Sequence, residues 1–140
     1  MKVLVVEDDK EIVDAISLAF QIRWPEAKVV STRLGQKGVE LVETEVPDIV
    51  ILDYHLNSIN KKAINGLEAL DKIKALNPQI PVIMLSSQDK IDVAVNCMKH
   101  QAFDYIVKSE TAFIRLQKAI TSIFHYQKIE KALSWYMEKM

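Results

Sequence analysis

The stretch Asp48-Ile49-Val50-Ile51-Leu52-Asp53 decides the fold: four consecutive apolar, mostly β-branched residues closed on each side by an acid. An alternating run marks a strand with one wet face, whereas a continuous one marks a strand covered on both faces, the habit of a parallel sheet between layers of helices. Four similar runs flank it: Lys2 to Val6 (KVLVV), Lys28 to Thr32 (KVVST, the weakest), Ile80 to Ser86 (IPVIMLS) and Asp104 to Lys108 (DYIVK).

Helical spacing fills the intervals. Ile12, Ile16, Ala19 and Phe20 recur at threes and fours. Leu34, Leu41 and Val42 mark a second helix ending before Pro47, and Leu67, Leu70 and Ile73 a third ending before Pro78. The third has a written start, with Asn65 as cap and Glu68 three residues on, a capping-box pattern. Ile91, Ala94, Val95 and Met98 mark a fourth. Strands alternating with helices imply right-handed crossovers and a parallel sheet. Five such units predict an α/β, flavodoxin-like (βα)5 doubly wound sheet in strand order 2-1-3-4-5.

Thr111 to Met140 contains no Pro or Gly and reads as one extended C-terminal helix. Phe113, Leu116, Ile120 and Ile123 are expected to cover the sheet. Ile129, Leu133, Tyr136 and Met140 follow at four-three-four spacing, a short heptad-like stripe, and Gln127 interrupts the register between the two halves. The second half either folds back over its own domain or forms a contact with another chain, a homodimer through the last helices or a connector.

Composition bounds the rest. The chain has 140 residues, 49% apolar and 26% charged, enough for one domain with its own core. Eighteen basic and nineteen acidic residues leave a net charge of −1, which does not suggest nucleic-acid binding by this domain. Cys97 is the only cysteine, so no intrachain disulfide or multi-cysteine zinc site can form. No apolar run approaches a membrane span, and the acids from Glu7 to Asp9 are unlike a secretory leader, so a cytoplasmic location with no membrane association is expected.

In a doubly wound sheet, ligands bind outside the carboxyl ends of the strands. Glu7, Asp8 and Asp9 end the first strand, Asp53 the third, Ser86 and Ser87 the fourth, and Lys108 the fifth. Crowded carboxylates repel and call for a cation, and an all-oxygen set without His or Cys suits Mg²⁺. An aspartate beside Mg²⁺ and a lysine can accept a phosphoryl group as an acyl phosphate, with the ion and the ammonium stabilising the transferring charge. Ser86 can hydrogen-bond a phosphoryl oxygen.

These motifs together resemble the receiver domain of two-component response regulators. VVEDD after strand one, ILD at the end of strand three, MLSS after strand four and DYIVK at strand five carry the resemblance. It covers residues 1–122, with 123–140 an extension of the last helix. The resemblance implies that Asp53 is the phosphoacceptor and that Glu7, Asp8 and Asp53 hold Mg²⁺ together with the backbone carbonyl of His55. It implies that Lys108 pairs with the phosphoryl group and that Ser86 and Tyr105 are the switch pair. Asp9 is expected to cap the first helix. The implied partners are a histidine kinase or phosphotransfer protein as donor and a downstream protein effector, with self-catalysed dephosphorylation and no other enzymatic activity.

Two features depart from the family. Ser109 follows Lys108 where the family has a proline in a cis peptide, so a trans bond or a strained cis one is expected, with Ser109 free to cap the last helix. The stretch Tyr54 to Asn65, which includes Lys61 and Lys62, is longer than usual and lacks the family's Met-Pro, having Leu56-Asn57 instead. The sequence also meets two competing readings. One is a pseudo-receiver adaptor that is never phosphorylated, against which the complete set of Glu7, Asp8, Asp53, Ser86 and Lys108 argues. The other is a small enzyme on the same fold. A flavodoxin needs a hydroxyl-rich loop after strand one, where Glu7, Asp8 and Asp9 would repel the flavin phosphate, and a dehalogenase-type phosphatase places its nucleophile after strand one rather than strand three.

Overall fold

The computed structural model describes residues 1–56 and 62–140, so Asn57 and Lys61 of the long stretch after Asp53 lie outside the described residues. The elements alternate as β1 (Lys2–Val6), α1 (Lys10–Arg23), β2 (Lys28–Thr32), α2 (Gly35–Glu45), β3 (Ile49–Asp53), α3 (Gly66–Leu76), β4 (Val82–Ser86), α4 (Ile91–Lys99), β5 (Asp104–Val107) and α5 (Ala112–Lys139). The five strands form one parallel sheet in the order β2-β1-β3-β4-β5. The fold expected from the apolar runs is the fold found.

The runs are continuous because both faces of the sheet are covered. Leu4, Val6, Val50, Leu52, Val82 and Met84 face one layer, where they meet Val39 and Val42 of α2 and Ala69, Leu70 and Ile73 of α3. Their sequence neighbours Val3, Val5, Ile49, Ile51, Ile83 and Leu85 face the other, against Ile16 and Phe20 of α1 and Leu116, Ala119 and Ile120 of α5. Every residue of β3 and β4 is buried, whereas β2, at the edge, is partly exposed.

Local chemistry sets the element ends. The Asp9 side chain accepts the Glu11 amide at 3.0 Å and caps α1, as expected. The capping box of α3 is complete: Asn65 Oδ1 accepts from the Glu68 amide at 2.8 Å, and Glu68 Oε1 accepts from the Asn65 amide. β4 starts at Val82 rather than Ile80, since Pro81 has no amide to give the ladder. The expected cap of the last helix is corrected. Thr111 occupies the cap position; the Ser109 carbonyl accepts the Ala112 amide at 3.1 Å, and the Ser109 hydroxyl pairs with the Thr111 hydroxyl at 3.2 Å rather than capping the helix. The Lys108–Ser109 peptide is trans, the first of the two expected alternatives.

α5 has two regimes. Leu116, Ala119, Ile120 and Ile123 are buried on the sheet at three-four-seven spacing. Phe113, expected among them, is 41% exposed: it sits in the first turn, above the carboxyl edge of the sheet, beside Ile12 and Ile16 of α1. From Lys128 onward every residue is exposed, so the second half runs past the sheet instead of folding back over it.

Candidate functional site

Parallel register aligns the strand ends, and loops carry the functional groups out from them. Lys108, one residue past β5, places its Nζ 2.9 Å from Glu7 Oε1 and 3.1 Å from Asp53 Oδ1, joining positions 101 and 55 residues away in sequence. Glu7 and Asp53 are each only 1% exposed. A carboxylate oxygen from each of Glu7, Asp8 and Asp53 lies within 4.8 Å of the others.

Two of the three acids share the Lys108 ammonium. Burial is the largest influence on Glu7 and the neighbouring Asp53 charge adds to it; together they overcome the opposing Lys108 contacts and push the Glu7 carboxyl up from 4.5 to about 8. For Lys108, burial alone would pull the ammonium down, but the Glu7 hydrogen bond and the Asp53 charge prevail and its pKa is raised. Glu7 Oε2 is buried without a partner. An orphaned carboxylate oxygen inside an all-oxygen acidic cluster is what a hard divalent cation requires, so Glu7, Asp8 and Asp53 fit Mg²⁺.

The Asp53 carboxylate is oriented. Asp53 Oδ1 accepts from Lys108 and from the His55 amide, at 3.1 Å in both cases, and among the described residues no donor reaches Oδ2. One oxygen is thus held by two donors. The Tyr54 amide donates to the Leu85 carbonyl at 2.8 Å, tying the turn after Asp53 to β4. The His55 ring packs edge-on against Tyr54, and its Nε2 is buried without a partner.

Ser86 and Tyr105 are joined through a residue between them in sequence. Ser86 Oγ accepts the Gln88 amide at 3.0 Å, and the Tyr105 hydroxyl donates to the Gln88 carbonyl at 2.6 Å. Tyr105 points inward, 7% exposed, and burial raises its hydroxyl pKa.

The seven residues singled out from the sequence divide into three neighbouring groups. Glu7, Asp8, Asp53 and Lys108 form the charged cluster, His55 borders it through its amide, and Ser86 and Tyr105 form the adjoining hydroxyl pair. Gln88 is the bridge between the two hydroxyls. Sequence reasoning missed two contributors. Arg33 reaches the Asp8 carbonyl at 3.4 Å from the loop after β2. Gly66 opens α3 so close to β3 that a Cβ there would lie 2.3 Å from the Asp53 carbonyl oxygen. Its position directly after the Asn65 cap was the one available signal, because the first helical residue is where a helix comes nearest to the preceding strand.

Comparison with known proteins agrees with this geometry. Residues 3–121 match the response regulator receiver domain family. The transcriptional regulatory protein ZraR of Klebsiella oxytoca is 29% identical over 130 residues, which is 93% of this chain and 28% of that protein. Among solved structures, NtrX from Brucella abortus superposes with a TM-score of 0.82 at 24% identity, covering 99% of this chain and 30% of that one. The Francisella response regulator 1452 receiver domain gives 0.76 at 23% identity, covering 90% of this chain and 98% of that one. The chain thus spans less than a third of the ZraR and NtrX proteins it resembles. Receiver domains of this kind are typically phosphorylated on an aspartate, typically bind Mg²⁺ at an acidic cluster and pair with histidine kinases, and no described helix is long and apolar enough to cross a membrane. With most of its length matched, its strand order and its rim of acids and lysine in agreement, the chain belongs to the response regulator receiver domain family.

Proposed function

We propose that Asp53 accepts a phosphoryl group from a histidine kinase or phosphotransfer protein and that residues 1–122 are the unit that does so. The observation that carries this reading is the Lys108 bridge between Glu7 and Asp53. Asp53 Oδ2 attacks the phosphorus of a phosphohistidine, a P–O bond forms, the P–N bond breaks, and its electron pair returns to the imidazole. Lys108 offsets the charge that develops on the phosphoryl oxygens, and the Ser86 hydroxyl donates to one of them. Glu7, Asp8, Asp53 and the His55 carbonyl would hold Mg²⁺, which when bound neutralises the acidic cluster and the incoming phosphate. Water attack on phosphorus later releases phosphate and restores the carboxylate, the only other reaction assigned to the domain. An apolar cleft lined by Ile12, Ile16 and Phe113 beside Lys108 gives the donor a surface to seat on.

Ser86, Gln88 and Tyr105 form the switch. A phosphoryl oxygen that recruits Ser86 competes with the Gln88 amide, and Gln88 also holds Tyr105, so the modification shifts the population of the surface around β4, α4 and β5 that a downstream effector reads. Residues 123–140 extend the last helix, and their exposed stripe supports pairing with a second copy. The domain works in the cytoplasm and contacts neither nucleic acid nor membrane itself.

The test is incubation with Mg²⁺ and acetyl phosphate followed by intact-protein mass spectrometry. Wild type gains one phosphoryl group and Asp53→Asn gains none. Equal gain in both overturns the assignment of Asp53.

A further inference from the structure

We propose that Gly35, the first residue of α2, is a positioning residue for the metal site: it is the floor of a socket that receives Leu56 and Ile64 and thereby fixes the turn between Asp53 and His55. This deepens the Mg²⁺ reading above and rests on it.

The contacts are close. A Cβ on Gly35 would lie 3.0 Å from Ile64 Cγ1, 3.2 Å from Leu56 Cδ1 and 3.3 Å from Ile64 Cδ1. Gly35 is buried, Leu56 is 4% exposed, and Ile64 packs against the same cluster. Leu56 and Ile64 stand near the two ends of the long stretch that separates Asp53 from α3, so both of its ends rest on one point of α2. The same turn is tied on its other sides. The Gly66 amide donates to the Tyr54 carbonyl at 3.1 Å, the Tyr54 amide to Leu85, and the His55 amide to Asp53 Oδ1.

The socket matters for ligand geometry more than for folding. Leu56 is only three residues past Asp53, so whatever shifts Leu56 shifts the His55 amide and carbonyl. Mg²⁺ demands near-ideal octahedral ligands, and a displacement of tenths of an ångström that a core absorbs degrades such a site. Gly35 shows no positive φ, so alanine is compatible with its backbone and is the better helix former. A defect in Gly35→Ala therefore reports the socket, not the helix.

The experiment is Mg²⁺ titration by calorimetry of wild type, Gly35→Ala, Ile64→Ala and the double variant, each with a metal-free urea unfolding curve. Gly35→Ala is expected to weaken Mg²⁺ binding about tenfold, as loss of outer support to a metal site does. Its metal-free urea midpoint stays at the wild-type value. Removing the facing side chain makes room, so the double variant recovers to the level of Ile64→Ala alone. Wild-type affinity in Gly35→Ala, or a loss that the double variant fails to recover, overturns the socket alone. A wild-type protein that takes up no Mg²⁺ overturns the metal-site reading and the socket with it.

Discussion

The residue on which the metal-free state turns is Glu7. Burial first, then the Asp53 charge, raise its carboxyl to about 8 in the folded protein, against 4.5 for an exposed one. The folded chain thus binds the Glu7 proton more tightly than the unfolded chain does. The stability this contributes is complete below pH 4.5 and is lost as pH rises through 8. Without metal, the urea midpoint of wild type should fall between pH 6 and pH 9. Glu7→Gln, which keeps the neutral form at every pH, should remove most of the fall and be more stable than wild type at pH 9. A wild-type profile as flat as that of Glu7→Gln would refute the account. The same proton must leave when Mg²⁺ arrives, so calorimetry at pH 7 in two buffers of different ionisation heat should record proton release in wild type and much less in Glu7→Gln.

At the scale of the element, α5 separates packing from projection within one helix. Ile120 is fully buried between the sheet and α1, and Ile120→Ala should cost about 3 kcal/mol in a urea titration. Leu133, 58% exposed on the projecting half, should cost less than about 0.5 kcal/mol when changed to Ala in dilute protein. Comparable losses at the two positions would mean that the second half packs on the domain after all. The same helix shows what a sequence discloses. Periodicity reported which face of α5 is inward, because burial at threes and fours is written into residue type. It does not report where along the helix the sheet begins, so Phe113 fits the covering pattern although it is 41% exposed in the first turn. β4 shows a related limit: apolar character runs from Ile80, but the ladder waits for the first amide after Pro81. At the site, the strand ends exposed the acids, the serine and the lysine, since topology alone brings those ends together. The Gln88 bridge and the Gly35 contact depend on backbone proximity of a few ångströms, which no residue pattern encodes.

For the whole molecule the open quantity is the number of copies. Ile129, Leu133, Tyr136 and Met140 are 42% to 102% exposed along one stripe of a helix that continues beyond its own domain. A helical segment without tertiary packing is marginal in water, and a second copy laid along the stripe supplies the missing packing. The seam is under two heptads long and buries less than the ~1,000 Å² of a firm interface, so the dimer should be weak, half associated at about 100 µM. Sedimentation equilibrium from 10 µM to 1 mM (about two decades around that value) should follow the rise in mass, and Leu133→Glu should hold the chain monomeric across the range without moving its urea midpoint in dilute solution. Because a negative charge at position 133 lies in the apolar seam in either orientation, a wild type that stays monomeric at 1 mM, or a Leu133→Glu variant that associates as wild type does, would remove the stripe as a self-association surface.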